Sequence, residues 1–192
     1  MNYTQPHFFF NCISSISELI HIDANKADEA LQNLASILRY LIDSRKQLHS
    51  ISDELSLTNK YIYLQKLRFE DRFIFSEEID TNIVHFKIPI LSIQLLIENS
   101  FQHANKNYQS VHEDYIVLTN IHLRIEVIDN FLNITVCDNG KIKNYSPSKG
   151  SGMWMLIERL NTVYQETSFS HGYLDKTILG ESGYQSVIKI KL

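Results

Sequence analysis

The first 70 residues contain no glycine and only one proline, Pro6, and this limits the folds open to that part of the chain. Glycine and proline are the usual residues of tight turns and helix breaks. Apolar residues recur here at spacings of three and four, which is the period of an α-helix. The pattern predicts three helices: from Pro6 to about residue 21, from a cap at Asp23 to about residue 45, and from a serine cap near residue 50 to about residue 68. The three would form a helical hairpin followed by an extra helix.

From Phe73 onward the apolar period changes to alternation, which indicates strands. Alternation is clearest at residues 121–128 and 132–137, and Asp129-Asn130 between them is a suitable hairpin turn. Further strands are predicted at 73–79, 115–118 and 187–192, and helices from about Pro89 and over residues 152–164. The chain is therefore predicted to be α+β, with helices on one face of a mostly antiparallel sheet. We assign residues 1–70 to a helical region and residues 71–192 to the α+β domain.

Composition and charge exclude several classes of protein. A net charge of −4 and a pI near 6.0 argue against direct nucleic-acid binding, which needs clustered Lys and Arg. Cys12 and Cys137 lie in apolar surroundings without disulfide or metal-site spacing, so free thiols in a reducing compartment are expected. No run approaches the ~20 apolar residues of a membrane span, and no signal peptide is visible. Because the chain begins abruptly within predicted structure, we expect it to be a piece of a longer protein.

One predicted helix turns from apolar to polar along a single face. Leu91, Leu95, Asn99 and His103 are four residues apart, so on a helix they form one stripe. A stripe that begins as core and ends in a carboxamide and an imidazole should face something polar. The amide oxygen of Asn99 is a hard ligand of the kind that Mg²⁺ prefers. The alternative interpretation is a partly exposed helix end that carries a surface histidine.

Two glycine-containing segments follow this helix. Asp138 ends an apolar strand, where its carboxylate could accept a hydrogen bond from the exocyclic amine of adenine, and Gly140 would let the backbone approach the ring. Gly150 and Gly152 lead into another helix, whose first amides favour a phosphate. Taken alone, the first segment is also a common turn and the second is also an ordinary helix start.

The order of these segments is more specific than any one of them. Glu98-Asn99 with His103, then residues 138–140, then residues 150–152 resemble the N, G1 and G2 boxes of the GHKL ATPase superfamily. Residues 5–11, QPHFFFN, resemble the phosphoacceptor box of the LytS-type sensor histidine kinases, and residues 64–73, LQKLRFEDRF, are similar to a segment that follows in that family. The resemblance spans essentially the whole chain. It implies a dimerisation hairpin followed by a GHKL, or Bergerat-type, α/β sandwich.

The resemblance also implies an activity, which is transfer of the ATP γ-phosphoryl group to a histidine and then to an aspartate of a response regulator. His7 matches the acceptor, and Glu98 would polarise the attacking imidazole. Asn99 would bind Mg²⁺ and Asp138 would hold adenine. The remaining nucleotide contacts are expected from His103, Gly140, Gly150, Gly152 and Ser186. The resemblance further implies a homodimer in the cytoplasm, and we expect contact with the membrane only through an upstream segment that lies outside these 192 residues.

Three positions depart from the family pattern. Ile142 replaces the second glycine after the adenine aspartate, Met155 replaces an asparagine after the glycine-led helix start, and Tyr184 stands where the family has threonine. Each change removes backbone freedom or a polar contact near the nucleotide. A second hypothesis therefore stays open: a non-catalytic, dimeric signalling or interaction module that keeps the fold without hydrolysing ATP.

Overall fold

The computed structural model describes residues 6–43, 48–69, 72–105, 119–140, 149, 151–178 and 180–192. The helices are α1 (Pro6–Leu19), α2 (Ala24–Asp43), α3 (Ile51–Phe69), α4 (Ser92–Asn105) and α5 (Gly152–Val163). The strands are β1 (Leu48–Ser50), β2 (Phe73–Ile79), β3 (Lys87–Pro89), β4 (Thr119–Ile128), β5 (Phe131–Asp138), β6 (Thr167–Leu174) and β7 (Gly183–Lys191), and a short 3₁₀ helix covers Thr81–Ile83. The chain is α+β, as the sequence predicts.

The three predicted N-terminal helices are confirmed, and two of them begin at the predicted caps. The Asp23 carboxylate accepts a hydrogen bond from the Lys26 amide at 3.0 Å, which satisfies a donor that the first turn of α2 leaves unpaired. Before α3, the Ser50 hydroxyl accepts from the Asp53 amide at 3.1 Å and the Asp53 carboxylate accepts from the Ser50 amide at 3.3 Å. This reciprocal pair is a capping box with aspartate in place of glutamate.

A five-stranded sheet forms the centre of the remaining chain, in the order β2-β4-β5-β7-β6. Only β2 and β4 pair in parallel, and every other neighbouring pair is antiparallel. The turn at Asp129 and Asn130 has φ of 51° and 64°, the left-handed geometry that a two-residue hairpin requires and that Asp and Asn tolerate. The predicted turn is therefore confirmed. One face of the sheet is apolar and lies under the helices, with Ile121, Leu123, Ile125, Leu132, Ile134, Val136, Ile188 and Ile190 all buried.

The structure adds three strands that the sequence analysis did not predict. β1 and β3 are only three residues each and form a separate antiparallel pair, in which Leu48 lies opposite Pro89. β6 is the edge strand beside β7, and its half-exposed alternation of small, aromatic and polar residues gives little apolar period. The predicted strand at 115–118 lies outside the described residues.

The helix that was predicted from about Pro89 begins later, at Ser92. Leu91 precedes it with φ of 65°, a left-handed conformation that is uncommon for a residue with a Cβ. Leu91 is therefore buried beside the helix start and is not part of the helical stripe, which runs from Leu95 to His103.

Candidate functional site

Asp138 lies at the end of β5 on the apolar face of the sheet and is fully buried. Its Oδ1 accepts a hydrogen bond from the Gly140 amide at 2.8 Å, while Oδ2 has no hydrogen-bond partner among the described residues. Burial raises the pKa of Asp138 to about 7, and the Gly140 amide and the nearby Ser100 hydroxyl oppose that rise. An acceptor oxygen buried without a donor is costly, so this position favours a ligand that can donate to it.

The backbone around Asp138 is held in place by its neighbours. Asn139 continues the pairing beyond the strand, because its Oδ1 accepts from the Asn120 amide at 3.0 Å and its amide donates to the Asn120 carbonyl at 3.3 Å. On the other side, Gly183 begins β7 so close to Asp138 that an added Cβ would lie 1.9 Å from the Asp138 carbonyl oxygen. Only glycine fits at this point, and the carboxyl group is thereby fixed at the edge of the core.

The next residues of β7 complete this edge. Tyr184 pairs with Asp138 across the strands and is fully buried, and its hydroxyl forms a hydrogen bond with His171 Nδ1 on β6. Ser186 is two residues further on the same face, also fully buried, and its hydroxyl has no partner among the described residues. Among the described residues, the Ser186 hydroxyl is thus a second unsatisfied polar group on the apolar face of the sheet. It lies opposite Val136, two residues before Asp138 along β5.

Helix α4 brings Glu98 and Asn99 to the same region. Asn99 is buried and its Nδ2 has no hydrogen-bond partner among the described residues, although Ser100 next to it lies beside Asp138. Glu98 is also buried, and its Oε1 accepts from Gln94 Nε2 at 2.9 Å. Burial raises the pKa of Glu98 to about 7, which suits a group that has to exchange a proton near neutral pH.

The N-terminus of α5 lies against the same helix. A Cβ added to Gly152 would be 2.9 Å from Leu95 Cδ2, and Leu95 is one helical turn before Asn99 on the same face of α4. Ser151 caps α5, since its hydroxyl accepts from the Trp154 amide at 3.2 Å. The first amides of α5 therefore begin close to the Asn99 face, and helix N-terminal amides favour an anion.

Two contacts bring predicted residues together at one end of the α4–β5–β7 core: Ser100, next to Asn99, lies beside Asp138, which is bonded to Gly140, and Gly152 packs against Leu95, one turn before Asn99. Ser186 lies near Asp138 on the same face of the sheet, whereas Glu98 lies towards Tyr61 on α3. His103 lies on α4 and His7 in the first turn of α1, but their side chains lie outside what is described. Gly150 and Ile142 also fall outside the described residues. Within those residues, no group of three His, Cys, Asp or Glu side chains converges to hold a metal ion.

Sequence reasoning missed two residues of this site. His171 was missed because β6 was missed, and nothing in the alternation of that segment marks it as a partner for Tyr184. Ser100 was available from the sequence, because it follows Asn99 directly, but helical spacing alone does not show that it lies beside Asp138. Both contacts join elements that are far apart in the chain.

Comparisons with known proteins bear on this arrangement. The histidine kinase family matches residues 2–73. The sensor protein LytS of Staphylococcus saprophyticus is 36% identical over 162 residues, which cover 81% of this chain and 27% of that protein. The sensor histidine kinase/phosphatase LytS of Staphylococcus aureus is 33% identical over 161 residues, again covering 81% of this chain and 27% of that protein. The chain therefore spans about a quarter of the length of these curated relatives.

A solved structure was also found to be similar. The Acinetobacter baumannii histidine kinase AdeS superposes with a TM-score of 0.49 at 11% identity, over 91% of this chain and 82% of that chain. This likeness is too low to add to the sequence matches. Separately, none of the helices in the described part of the chain is long and apolar enough to cross a membrane.

Proposed function

Because the chain belongs to the LytS-type family of sensor histidine kinases, we propose that it is the cytoplasmic core of a two-component sensor kinase. In this proposal the chain transfers the γ-phosphoryl group of ATP to His7, and from there to an aspartate of a response regulator. Residues 1–70 carry the phosphoacceptor and the dimer contacts, and residues 71–192 bind the nucleotide.

The observation that carries the proposal is the buried carboxyl of Asp138. Its Oδ2 makes no hydrogen bond of normal geometry among the described residues, although the Ser100 hydroxyl lies near the carboxyl. The close approach of Gly183 to the Asp138 carbonyl fixes this residue at the edge of the core. The exocyclic amine of adenine can donate a hydrogen bond to Oδ2 of Asp138. A turn aspartate without a ligand would instead be expected to point its second oxygen to water, because burying it unpaired costs free energy.

The neighbouring groups fit the rest of a nucleotide. The Asn99 carboxamide offers an oxygen to Mg²⁺ and a donor to phosphate oxygens, and its Nδ2 has no partner of its own among the described residues. Gly152, the first residue of α5, packs against the side chain of Leu95, which is one helical turn before Asn99 on α4. The free amides at the start of α5 favour a phosphate. When bound, Mg²⁺ would neutralise phosphate charge. Catalysis of phosphoryl transfer is mainly positioning and charge neutralisation, so these groups matter more than an acid–base pair.

In the transfer step, an imidazole nitrogen of His7 forms a bond to the γ-phosphorus as the bond to the bridging oxygen breaks and ADP leaves. The helix that carries His7 packs on α3, which in turn packs on α4 of the same chain. The Phe8 ring is 4.7 Å from that of Tyr61 on α3, which is 6.0 Å from that of Phe101 on α4. Burial raises the pKa of Tyr61, and the nearby Glu98 carboxylate raises it further. Glu98 is therefore a suitable group to polarise the His7 imidazole when the two approach.

The outer faces of α1 and α2 support a homodimer. Large apolar side chains are exposed on α1, directly after it and on α2: Phe10, Ile13, Ile20, Leu31, Leu38 and Ile42. The spacing of seven between Leu31 and Leu38 keeps this pair on one side of α2. Ile20 follows the last residue of α1 and its amide still donates to the Ile16 carbonyl, seven residues after Ile13. A second copy of the chain would cover these faces by pairing hairpin against hairpin, and the helices of the two copies would form one bundle.

Tyr184 supports the second candidate function, a non-catalytic dimeric module of the same fold. Its ring is fully buried beside Asp138, and its hydroxyl is already bonded to His171. A bulky, satisfied side chain at this edge leaves less space for a base than the threonine of the family pattern. The two candidates differ in one measurable property, which is nucleotide binding.

Calorimetric titration with a non-hydrolysable ATP analogue and Mg²⁺ tests the proposal. The kinase predicts saturable binding that is weakened by about tenfold or more in Asp138→Asn. It should be unchanged in Asp129→Asn, a matched substitution in the exposed hairpin turn at the opposite end of β5. Absence of binding by the unmodified chain at millimolar nucleotide would contradict the kinase and favour the non-catalytic module.

A further inference from the structure

Glu54 on α3 is fully buried, although it is an ionisable residue and no part of the nucleotide site described above. Its carboxylate receives hydrogen bonds from three groups. Oε1 accepts from the Leu91 amide at 2.8 Å and from the Tyr40 hydroxyl at 3.1 Å, and Oε2 accepts from the Ile93 amide at 3.3 Å. A single carboxyl group on α3 therefore joins α2 to the start of α4.

The contacts to Leu91 and Ile93 give the carboxylate the role of an N-terminal cap. The first amides of a helix have no partner within the helix, and a negative charge at that end is favourable. This cap comes from α3 and not from the residue before α4. It also holds Leu91 in its left-handed conformation, with φ of 65°, which a residue with a Cβ adopts only when its surroundings require it.

The same junction includes α5. Arg159 on α5 donates from Nη1 to the Ile90 carbonyl at 2.8 Å, directly before Leu91, and its positive charge acts on the Glu54 carboxylate. The other ionisable groups at the junction are the Asp53 carboxylate, which acts on Tyr40, and His49, whose ring is 4.9 Å from that of Tyr40. Burial raises the pKa of Glu54 to about 7, against the hydrogen bonds that it accepts.

We propose that Glu54 is a positioning residue for the nucleotide site. Its bonds to Leu91 and Ile93 fix the first turn of α4, and its bond to Tyr40 makes the position of that turn depend on the position of α2. Ile93 and Asn99 are six residues apart on one continuous helix, about 9 Å along its axis. A shift of the first turn therefore moves Glu98 and Asn99 as one body. The consequence for phosphoryl transfer rests on the proposed function, whereas the link between α2 and Asn99 does not.

The chain offers a matched control for this link. Tyr63 on α3 donates from its hydroxyl to Glu29 Oε2 on α2 at 2.9 Å, so it makes the same kind of bond between the same two helices. That bond is exposed, and neither Tyr63 nor Glu29 is among the groups that bond to Glu54 in the described part of the chain. Tyr63→Phe therefore removes an α2–α3 hydrogen bond without touching the cap, whereas Tyr40→Phe removes the one that ends on Glu54.

The test compares Glu54→Gln, Tyr40→Phe and Tyr63→Phe by amide NMR of the whole chain, below the unfolding temperature of each variant. Glu54→Gln should raise the hydrogen-exchange rates of the Leu91 and Ile93 amides by about tenfold or more, because one strong acceptor is lost. Glu54→Gln and Tyr40→Phe should both shift the side-chain amide signals of Asn99. Tyr63→Phe should leave all of these signals in place.

Unshifted Asn99 signals in Tyr40→Phe would overturn the proposed dependence on α2. This result can be read even if Glu54→Gln does not fold. Unshifted Asn99 signals in Glu54→Gln, together with a simple loss of stability, would reduce Glu54 to a structural residue. Nucleotide affinity is the second readout: about tenfold weaker binding in Glu54→Gln and none lost in Tyr63→Phe are expected. If the unmodified chain binds no nucleotide, the proposed function fails, and the Asn99 signals still decide the role of Glu54.

Discussion

Replacing Asp138 by asparagine should stabilise the free protein near pH 8 and at the same time weaken nucleotide binding. The substitution keeps the size of the side chain and removes its charge. The physical basis is the burial of this carboxyl, which raises its pKa from 3.8 to about 7 in the folded chain. A folded-state pKa above the unfolded value means that the folded protein binds the proton more tightly, so stability falls as the pH rises between those two values.

The size of the effect follows from the same shift. Each unit of pKa is equivalent to about 1.4 kcal/mol, so about three units amount to about 4 kcal/mol of destabilisation above pH 7. Asparagine avoids that cost, but it places an amide donor where Oδ2 was. No acceptor for this donor is described, and a buried donor without an acceptor costs about 1–3 kcal/mol. The net gain at pH 8 is then about 1–3 kcal/mol. At pH 5.5, about midway between the two pKa values, only about 2 kcal/mol of the destabilisation is present, so the gain should be about 2 kcal/mol smaller than at pH 8.

Urea unfolding at pH 5.5 and pH 8.0 measures the first effect, and calorimetric titration with the ATP analogue at pH 8.0 measures the second. Loss of the charged hydrogen bond to adenine should weaken binding by about 1.5–3 kcal/mol. Asp129→Asn controls for the change of net charge. The reasoning is refuted if Asp138→Asn lowers stability at pH 8.0, or if it raises stability equally at both pH values, or if it leaves the affinity unchanged.

Three further substitutions test other contacts of the site. Gly183→Ala should destabilise the fold by about 3 kcal/mol or more, because the new Cβ would lie 1.9 Å from a backbone oxygen, and a urea midpoint like that of the unmodified chain would contradict this. Gly152→Ala meets only the flexible end of Leu95 at 2.9 Å, so stability should change by less than about 1 kcal/mol. Nucleotide affinity should nevertheless fall in Gly152→Ala, as calorimetry would show. Glu98→Gln should stabilise the protein more at pH 8 than at pH 5, because burial raises the pKa of Glu98 to about 7. The same substitution should slow autophosphorylation without weakening nucleotide binding. Unchanged autophosphorylation rates would show that Glu98 has no part in the mechanism.

Much of the fold could be predicted because local signals agreed with the final packing. The caps at Asp23 and Ser50 and the hairpin turn at residues 129–130 are decided by residues within a few positions of one another. The same holds for β4 and β5, whose alternation reflects one face on the core and one face away from it.

What could not be predicted depends on contacts between distant segments. β1 and β3 are too short to show a period, and they form only because each is the partner of the other. The start of α4 at Ser92 is set by Glu54, which is almost forty residues earlier and has no sequence pattern that connects it to Leu91. β6 is an edge strand with small and polar residues, so the contact of His171 with Tyr184 was also hidden.

The candidate site shows the same division. Asp138, Gly140, Asn99 and Gly152 were predicted as site residues from their order in the chain, and their role in nucleotide binding stays a prediction. The structure adds their neighbours: Asp138 is bonded to Gly140 and lies beside Ser100, and Gly152 packs against Leu95 on the helix of Asn99. Their chemical state was not readable from the sequence. Among the described residues, Oδ2 of Asp138 and Nδ2 of Asn99 are buried without a hydrogen-bond partner, and burial raises the pKa values of Asp138 and Glu98. This burial depends on how α4, β5 and β7 pack together.

Phosphorylation of His7 is the most direct test of the central claim. The unmodified chain and His7→Gln would be incubated with Mg²⁺ and ATP labelled on the γ-phosphate, and the protein-bound label followed before and after mild acid treatment. The account predicts acid-labile label on the unmodified chain and none on His7→Gln, with nucleotide affinity equal in the two proteins. Label that persists in His7→Gln, or an unmodified chain that binds ATP without becoming labelled, would contradict it.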